Sequence, residues 1–194
     1  MHPMPKPLHL LDDAFILDKI RNPDTRDYGF NLLVNAYKQR IYRTIRRMVI
    51  NHDDADDLTQ ETFIKVHRNL DRFRSESALF TWIYRIATNE CLSFLKRKRT
   101  RFLLPLVDVE RELANHIDSG GGMDGNEVEK LLQKALLTLP EKQRMVFNMK
   151  YFEDMPYEEI AEITGTSVGA LKASHHHAVK KIEEYIKSNQ TSVV

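Results

Sequence analysis

Cysteine is nearly missing. Cys91 is the only one in 194 residues, which excludes an internal disulfide and a cysteine-based zinc site and fits a reducing compartment. Long apolar runs are missing too: none follows Met1-His2-Pro3-Met4-Pro5-Lys6-Pro7, so neither a secretory signal nor a membrane span is expected and the reading is a soluble, cytoplasmic protein. A surplus of either charge is also lacking, since 29 Lys and Arg stand against 28 Asp and Glu, a formal net charge of +1. That excludes a protein that holds nucleic acid through a global field, and any such contact must come from charge segregated along the chain. What remains is an ordinary composition, 42% hydrophobic and 29% charged, sufficient for one domain or two small ones.

The periodicity is helical throughout. Asp12 or Asp13 can cap a short helix running to Ile20, which Asn22-Pro23-Asp24 breaks. A long helix is predicted from about Thr25 to Ile50, with Leu33, Tyr37, Ile41, Ile45 and Met48 as its apolar stripe. Lys38, Arg40, Arg43, Arg46 and Arg47 fall on other faces and read as solvated surface.

The next segment, Asn51 to Val66, begins acidic and becomes amphipathic, with Ala55, Leu58, Thr62, Phe63, Val66 and Leu70 turned one way. Three readings fit its acidic start. Carboxylates in a first turn complement the helix dipole. Asp53, Asp54 and Asp57 also match the spacing of an aspartate-rich magnesium site in all-helical enzymes, although the second carboxylate cluster such a site needs is supplied by no other stretch. The recurrence of Asp57, Gln60 and Glu61 along one side also makes a polar docking face for a protein partner.

After the polar loop Leu70 to Ser77 comes a helix that is aromatic first (Phe80, Trp82, Tyr84) and cationic last (Lys96-Arg97-Lys98-Arg99). Four cations in a row exceed what a helix end requires and suit phosphates. Aromatics beside cations suit unstacked bases; the alternative is that these rings are core. From Thr100 to Asn126 the periodicity lapses, acids outnumber bases, and Gly120-Gly121-Gly122 disfavours a helix, which reads as an acidic, flexible linker. Helix resumes from Glu127 through Leu139, with Val128, Leu131, Leu132, Ala135, Leu136 and Leu139 apolar, and Pro140 starts another helix.

The most informative stretch is Pro156 to Lys172. Pro156 suits a first turn and Glu158 and Glu159 its positive end. Gly165 supplies the residue that can take a positive φ, and Ser167 can cap the helix that follows. Small residue, glycine and polar cap in this order are the pattern of a helix-turn-helix, whose second helix enters a major groove; the alternative is an ordinary helix hairpin in a core. That helix continues into Lys172, His175, His176, His177, Lys180 and Lys181, a composition poorly suited to burial. The three adjacent histidines point about 100° apart and cannot converge on one ion.

Together, Asp54 to Phe63, Phe73 to Ser77, Thr81 to Ala87, Leu139 to Arg144 and Tyr157 to Ile163 closely resemble bacterial sigma factors of the extracytoplasmic-function (ECF) type, in the sigma-70 family. The resemblance implies an all-α chain of two small helical domains: residues 1–99, then a linker over 100–126, then a helix-turn-helix domain over 127–194. It implies a non-enzymatic subunit, with no metal or cofactor, that binds core RNA polymerase and directs it to promoter DNA. Asp54, Asp57, Gln60 and Glu61 would dock on the β′ clamp helices, with the β subunit as a further contact. Phe73, Ser75, Glu76, Ser77, Trp82, Arg85, Asn89, Lys96 and Arg97 would open and hold the −10 element. Ser167, Lys172, Ala173, His176 and Lys180 would read the −35 element. An anti-sigma factor, often membrane-anchored in the family, would hold the chain inactive, and the acidic linker resembles one that threads the polymerase's nucleic-acid channels.

Two departures stand out. Ser75 occupies a position where the family often has glycine, and Ser174, His175 and His177 replace a commonly Arg-, Leu- and Arg-containing stretch. The other function classes make distinct demands: an enzyme needs magnesium at the Asp53 cluster, and a simple repressor needs to bind duplex without polymerase.

Overall fold

The computed structural model describes residues 12–101 and 127–189, and among them it is all helix, with no strand. Four helices form the first unit: α1 (Asp13–Arg21), α2 (Arg26–Val49), α3 (His52–Asn69) and α4 (Leu79–Arg101). Four form the second: α5 (Glu127–Leu137), α6 (Glu141–Tyr151), α7 (Tyr157–Thr164) and α8 (Val168–Asn189). Residues 102–126, which include the acidic stretch and Gly120 to Gly122, lie outside the described residues.

Local chemistry sets the helix ends of the first unit. The Asp12 side chain accepts from the Ala14 N–H at 3.2 Å and starts α1, and Asn22 accepts from the Asp24 N–H at 3.0 Å to start the 3-10 turn Pro23–Thr25. α1 then folds back on α2 at Gly29, where a Cβ would lie 2.6 Å from the Ile20 nitrogen. α2 stops at Ile50, whose φ of 64° is unusual for a β-branched residue and costs about 1–3 kcal/mol. Burial of the Ile50 side chain offsets that cost, and Asn51 caps α3 by accepting from the Asp54 N–H at 2.9 Å.

The core of this unit is the predicted stripe of α2 (Leu33, Ile41, Ile45, Met48) against Ala55, Leu58, Phe63 and Val66 of α3 and Leu79, Ile83, Tyr84 and Ala87 of α4. Of the three aromatics in the first two turns of α4, Phe80 and Tyr84 are buried and Trp82 is half-buried. Cys91 lies in this core, where burial pushes its thiol up to about 12. α4 continues to Arg101, two residues past the expected domain edge.

One expectation for α2 fails. Lys38, Arg40 and Arg43 are exposed, but Arg46 is buried and Arg47 is half-buried, and neither Arg40 nor Arg47 is left to solvent alone. Both bind Glu153 of the second unit, and their guanidinium groups lie over aromatic rings, Arg40 at 3.6 Å from the Phe80 centroid and Arg47 at 4.1 Å from that of Phe152. Burial lowers the pKa of Arg47, an effect that the Glu153 carboxylate opposes.

In the second unit α5 ends at Leu137, earlier than expected, and Thr138 and Leu139 form a turn in which Leu139 is still buried. Pro140 is the cap of α6 rather than its first residue. Val128 does not join the core and is 72% exposed. Ala135, Leu136, Leu139, Phe147, Ala178 and Ile182 make a small core of their own. Met145, Met149, Met155, Ile160, Ile163 and Leu171 join the apolar cluster of the first unit, so α6 and α7 pack between the two.

Candidate nucleic-acid interface

The loop between α3 and α4 is held from below. Leu70–Arg72 is a 3-10 turn, and Arg26 grips Asp71 with two bonds, Nη1 to Oδ1 at 2.8 Å and Nη2 to Oδ2 at 3.0 Å, which hold the Asp71 carboxyl below its usual range. Arg21 donates to Ser75 Oγ at 3.3 Å. Ser75 has φ 58°, the left-handed region in which glycine is free of the Cβ penalty, so the departure at this position places a serine in a backbone shape that favours glycine.

Above the loop, the rings of Phe73 and Trp82 meet with centroids 5.0 Å apart and planes at 42°. With Arg72, Arg74, Glu76, Ser77, Arg85 and Glu162 they line an open groove of about 510 Å³. Trp82, Arg85, Asn89 and Lys96 recur at helical spacing along α4, with Asn89, Lys96 and Arg97 exposed. The groove therefore continues into a polar, cationic track. Lys98 leaves that track and binds Asp54 at 3.2 Å.

That pairing separates the four residues predicted to dock on a partner. Asp54 is half-buried and held by Lys98, whereas Asp57, Gln60 and Glu61 share the exposed side of α3. Asp56 faces His52 at 3.5 Å, so the carboxylates of this segment diverge rather than converge. Sequence reasoning missed Ile64, which is 50% exposed among these polar groups. Its signal was an apolar side chain out of phase with the buried stripe.

In the second unit, Gly165 takes φ 66° at the end of α7 and its N–H reaches the Ala161 carbonyl at 2.9 Å, while Ser167 Oγ accepts from the Ala170 N–H at 3.4 Å to start α8. Leu171, Ala178 and Ile182 turn inward. Lys172, Ala173, His176 and Lys180 stand exposed as predicted, with Ser167 at the corner. Gly169, Ala170 and His177 share that outer face and were missed, although their spacing from Ala173 marks them.

The histidine run is split. His176 and His177 point outward, but His175 packs against Phe147, with centroids 5.8 Å apart, and its Nδ1 lies 3.1 Å from the Tyr157 hydroxyl. Burial, and then the nearby Lys150 ammonium, lower the His175 pKa. Beside it, Val128, Leu131, Leu132, Tyr151, Val179 and Ile186 line an apolar groove of about 550 Å³, with Tyr151 61% exposed.

These two faces correspond to two matched family models, Sigma-70 region 2 over residues 33–101 and Sigma-70, region 4 over residues 129–182. The ECF RNA polymerase sigma-E factor of Haemophilus influenzae is 31% identical over 187 residues, covering 91% of this chain and 96% of that protein. Those of Escherichia coli (strain K12) and Salmonella typhi are each 30% identical, covering 91% of this chain and 95% of theirs. This chain belongs to the ECF sigma factors.

The sigma factor fold extends to solved structures. The sigma factor RpoE, in complex with the anti-sigma factor NepR from Bartonella quintana, superposes with a TM-score of 0.64 at 22% identity, covering 82% of this chain and 98% of that one. CnrH, in complex with the cytosolic domain of CnrY, gives 0.66 at 21%, covering 91% and 98%. The region 2 match spans most of α2 together with α3 and α4, and the region 4 match spans most of α5, all of α6 and α7 and most of α8, with α1 outside both. As a sigma factor, the chain directs promoter-specific initiation of transcription. Among the described residues no helix is long and apolar enough to cross a membrane.

Proposed function

We propose that this sigma factor divides initiation between its units, acting by binding and without chemistry of its own. The exposed side of α3, with Asp57, Gln60 and Glu61 around Ile64, docks on the clamp helices of the polymerase's β′ subunit. An apolar residue ringed by polar ones suits a protein contact better than a nucleic acid. The groove at Phe73 and Trp82 takes unpaired bases of the −10 element, while Arg72, Arg74 and Arg85 and the track through Asn89, Lys96 and Arg97 neutralise the backbone. Glu76 and Ser77 at the rim supply acceptors and a hydroxyl for base edges. The outer face of α8, from Ser167 through Lys172, Ala173 and His176 to Lys180, lies in the major groove of the −35 element.

The observation that carries this reading is the tilted Phe73–Trp82 pair, open to one side and flanked by cations. The apolar groove around Val128 and Tyr151 is the surface for the polymerase β subunit. An anti-sigma factor would compete for these surfaces, and the presence of such a partner, NepR, in the complex of RpoE supports this. Transcription from a set of promoters by purified core polymerase, with and without this chain, tests the reading; promoter-specific transcripts are expected only with it.

A further inference from the structure

Ser75 holds a backbone shape that suits glycine. Its φ of 58° brings the Cβ close to the main chain, a cost that glycine escapes. After the 3-10 turn the chain bends through Ser75 to Ser77 outside any helix, so regular structure does not enforce that shape. What reaches Ser75 is the Arg21 guanidinium, whose Nη2 donates to Ser75 Oγ at 3.3 Å, a bond for which glycine has no acceptor.

Arg21 stands on a firm base. It ends α1, directly before a corner closed in three ways. The Asn22 N–H donates to the Asp18 carbonyl at 3.3 Å, and Thr25 Oγ1 donates to the Lys19 carbonyl at 2.9 Å. Gly29 of α2 lets α1 come so near that a Cβ would meet the Ile20 nitrogen at 2.6 Å. On the far side of this corner Arg26 grips Asp71, at the start of the same loop. Phe73 lies in the chain between the two anchored residues, Asp71 and Ser75, so the anchors set where its ring meets that of Trp82.

We propose that Arg21 is a positioning residue for promoter melting: its bond to Ser75 holds the loop in the left-handed turn and so presents Phe73 before the strand arrives. A loop already in its binding shape leaves less of the population to be reshaped. α1, which lies outside both matched regions, thereby serves the −10 element. This rests on the reading of the Phe73–Trp82 groove as the strand site.

The test uses core polymerase and a promoter that the wild-type chain transcribes. Arg21→Ala should slow the appearance of permanganate-reactive −10 thymines about fivefold, as a smaller fraction is competent, with the −35 footprint and the affinity for closed duplex unchanged. Ser75→Ala keeps the Cβ and removes the acceptor, so it should slow melting equally, with no further loss when the two are combined. Ser75→Gly in the Arg21→Ala chain should restore most of the rate, because glycine takes the turn unaided. Both side chains are exposed, so the circular dichroism of each variant should match that of the wild type. Lys19→Ala removes an equal charge that pairs with Asp18 instead of the loop, and should have no effect.

Melting at the wild-type rate by the Arg21→Ala chain overturns the proposal. So does a loss that Ser75→Gly fails to restore or that Lys19→Ala reproduces, since Arg21 would then act on DNA through its charge. If Trp82→Ala leaves melting undiminished, the strand-site reading falls and the positioning role with it. If Trp82→Ala blocks melting and Arg21→Ala does not slow it, only the positioning role falls.

Discussion

The loop that leads into α4 and the outer face of α8 are both polar, cationic and exposed, yet they are built in opposite ways. The first is assembled from distant parts: Arg21 and Arg26 fix Ser75 and Asp71 from below, and α7 contributes Glu162 to the groove from above. The second is a single helix started by Gly165 and Ser167, with Lys172, His176, His177 and Lys180 presented by periodicity alone. A face made by one helix is complete whenever that helix forms. A face made from several elements depends on how they are arranged, and so can be regulated by moving one of them.

The strongest perturbation should affect both faces equally. Reversing Asp57 and Glu61 to lysine is expected to weaken core-polymerase binding by about a hundredfold, since like charges at a docking surface repel, with an unchanged circular dichroism spectrum because exposed carboxylates add little to folding. Calorimetry of the complex measures this, and normal affinity would remove α3 as the docking face. Phe73→Ala with Trp82→Ala separates the two faces. Loss of stacking at about 1–3 kcal/mol per base should slow promoter melting by about ten- to a hundredfold while duplex binding stays near normal. Equal loss in a gel-shift and a melting assay would mean that the aromatic pair is structural.

Lys172→Ala and His176→Ala should do the reverse, each weakening recruitment to the −35 element by about tenfold with little effect on pre-melted templates. A footprint titration on both template types distinguishes these outcomes. The smallest effect concerns pH. The His175 pKa is lowered below its ordinary 6.5 in the folded chain, so the unfolded state binds the proton more readily. The stability this group contributes is full above pH 6.5 and is lost as pH falls through the folded value. Melting temperatures from pH 7.5 down to 5 should fall, and His175→Gln should flatten that slope; an unaltered slope would show that other groups govern it.

The elements legible in the sequence are those whose causes are local. Gly165 and Ser167 announce the corner before α8, and the stripe from Ala55 to Val66 announces the buried side of α3, because both follow from neighbours within a few residues. The fate of Arg40 and Arg47 could not be read, since Glu153 lies 113 and 106 residues away and only tertiary packing brings them together. Asp54 was grouped with Asp57 by spacing, yet Lys98 of another helix captured it. His175 looked like its two neighbours, and only the packing of α6 and α7 against α8 set it apart. Val128 fitted the apolar pattern of α5 but faces outward, into the apolar groove.

The central claim is that the groove at Phe73 and Trp82 holds the unpaired −10 strand, and permanganate reactivity of promoter thymines tests it most directly. With core polymerase and the wild-type chain, thymines of the −10 element should become reactive, and with Trp82→Ala that reactivity should fall while the −35 footprint remains. Undiminished −10 reactivity in a folded, polymerase-bound Trp82→Ala chain would contradict the account.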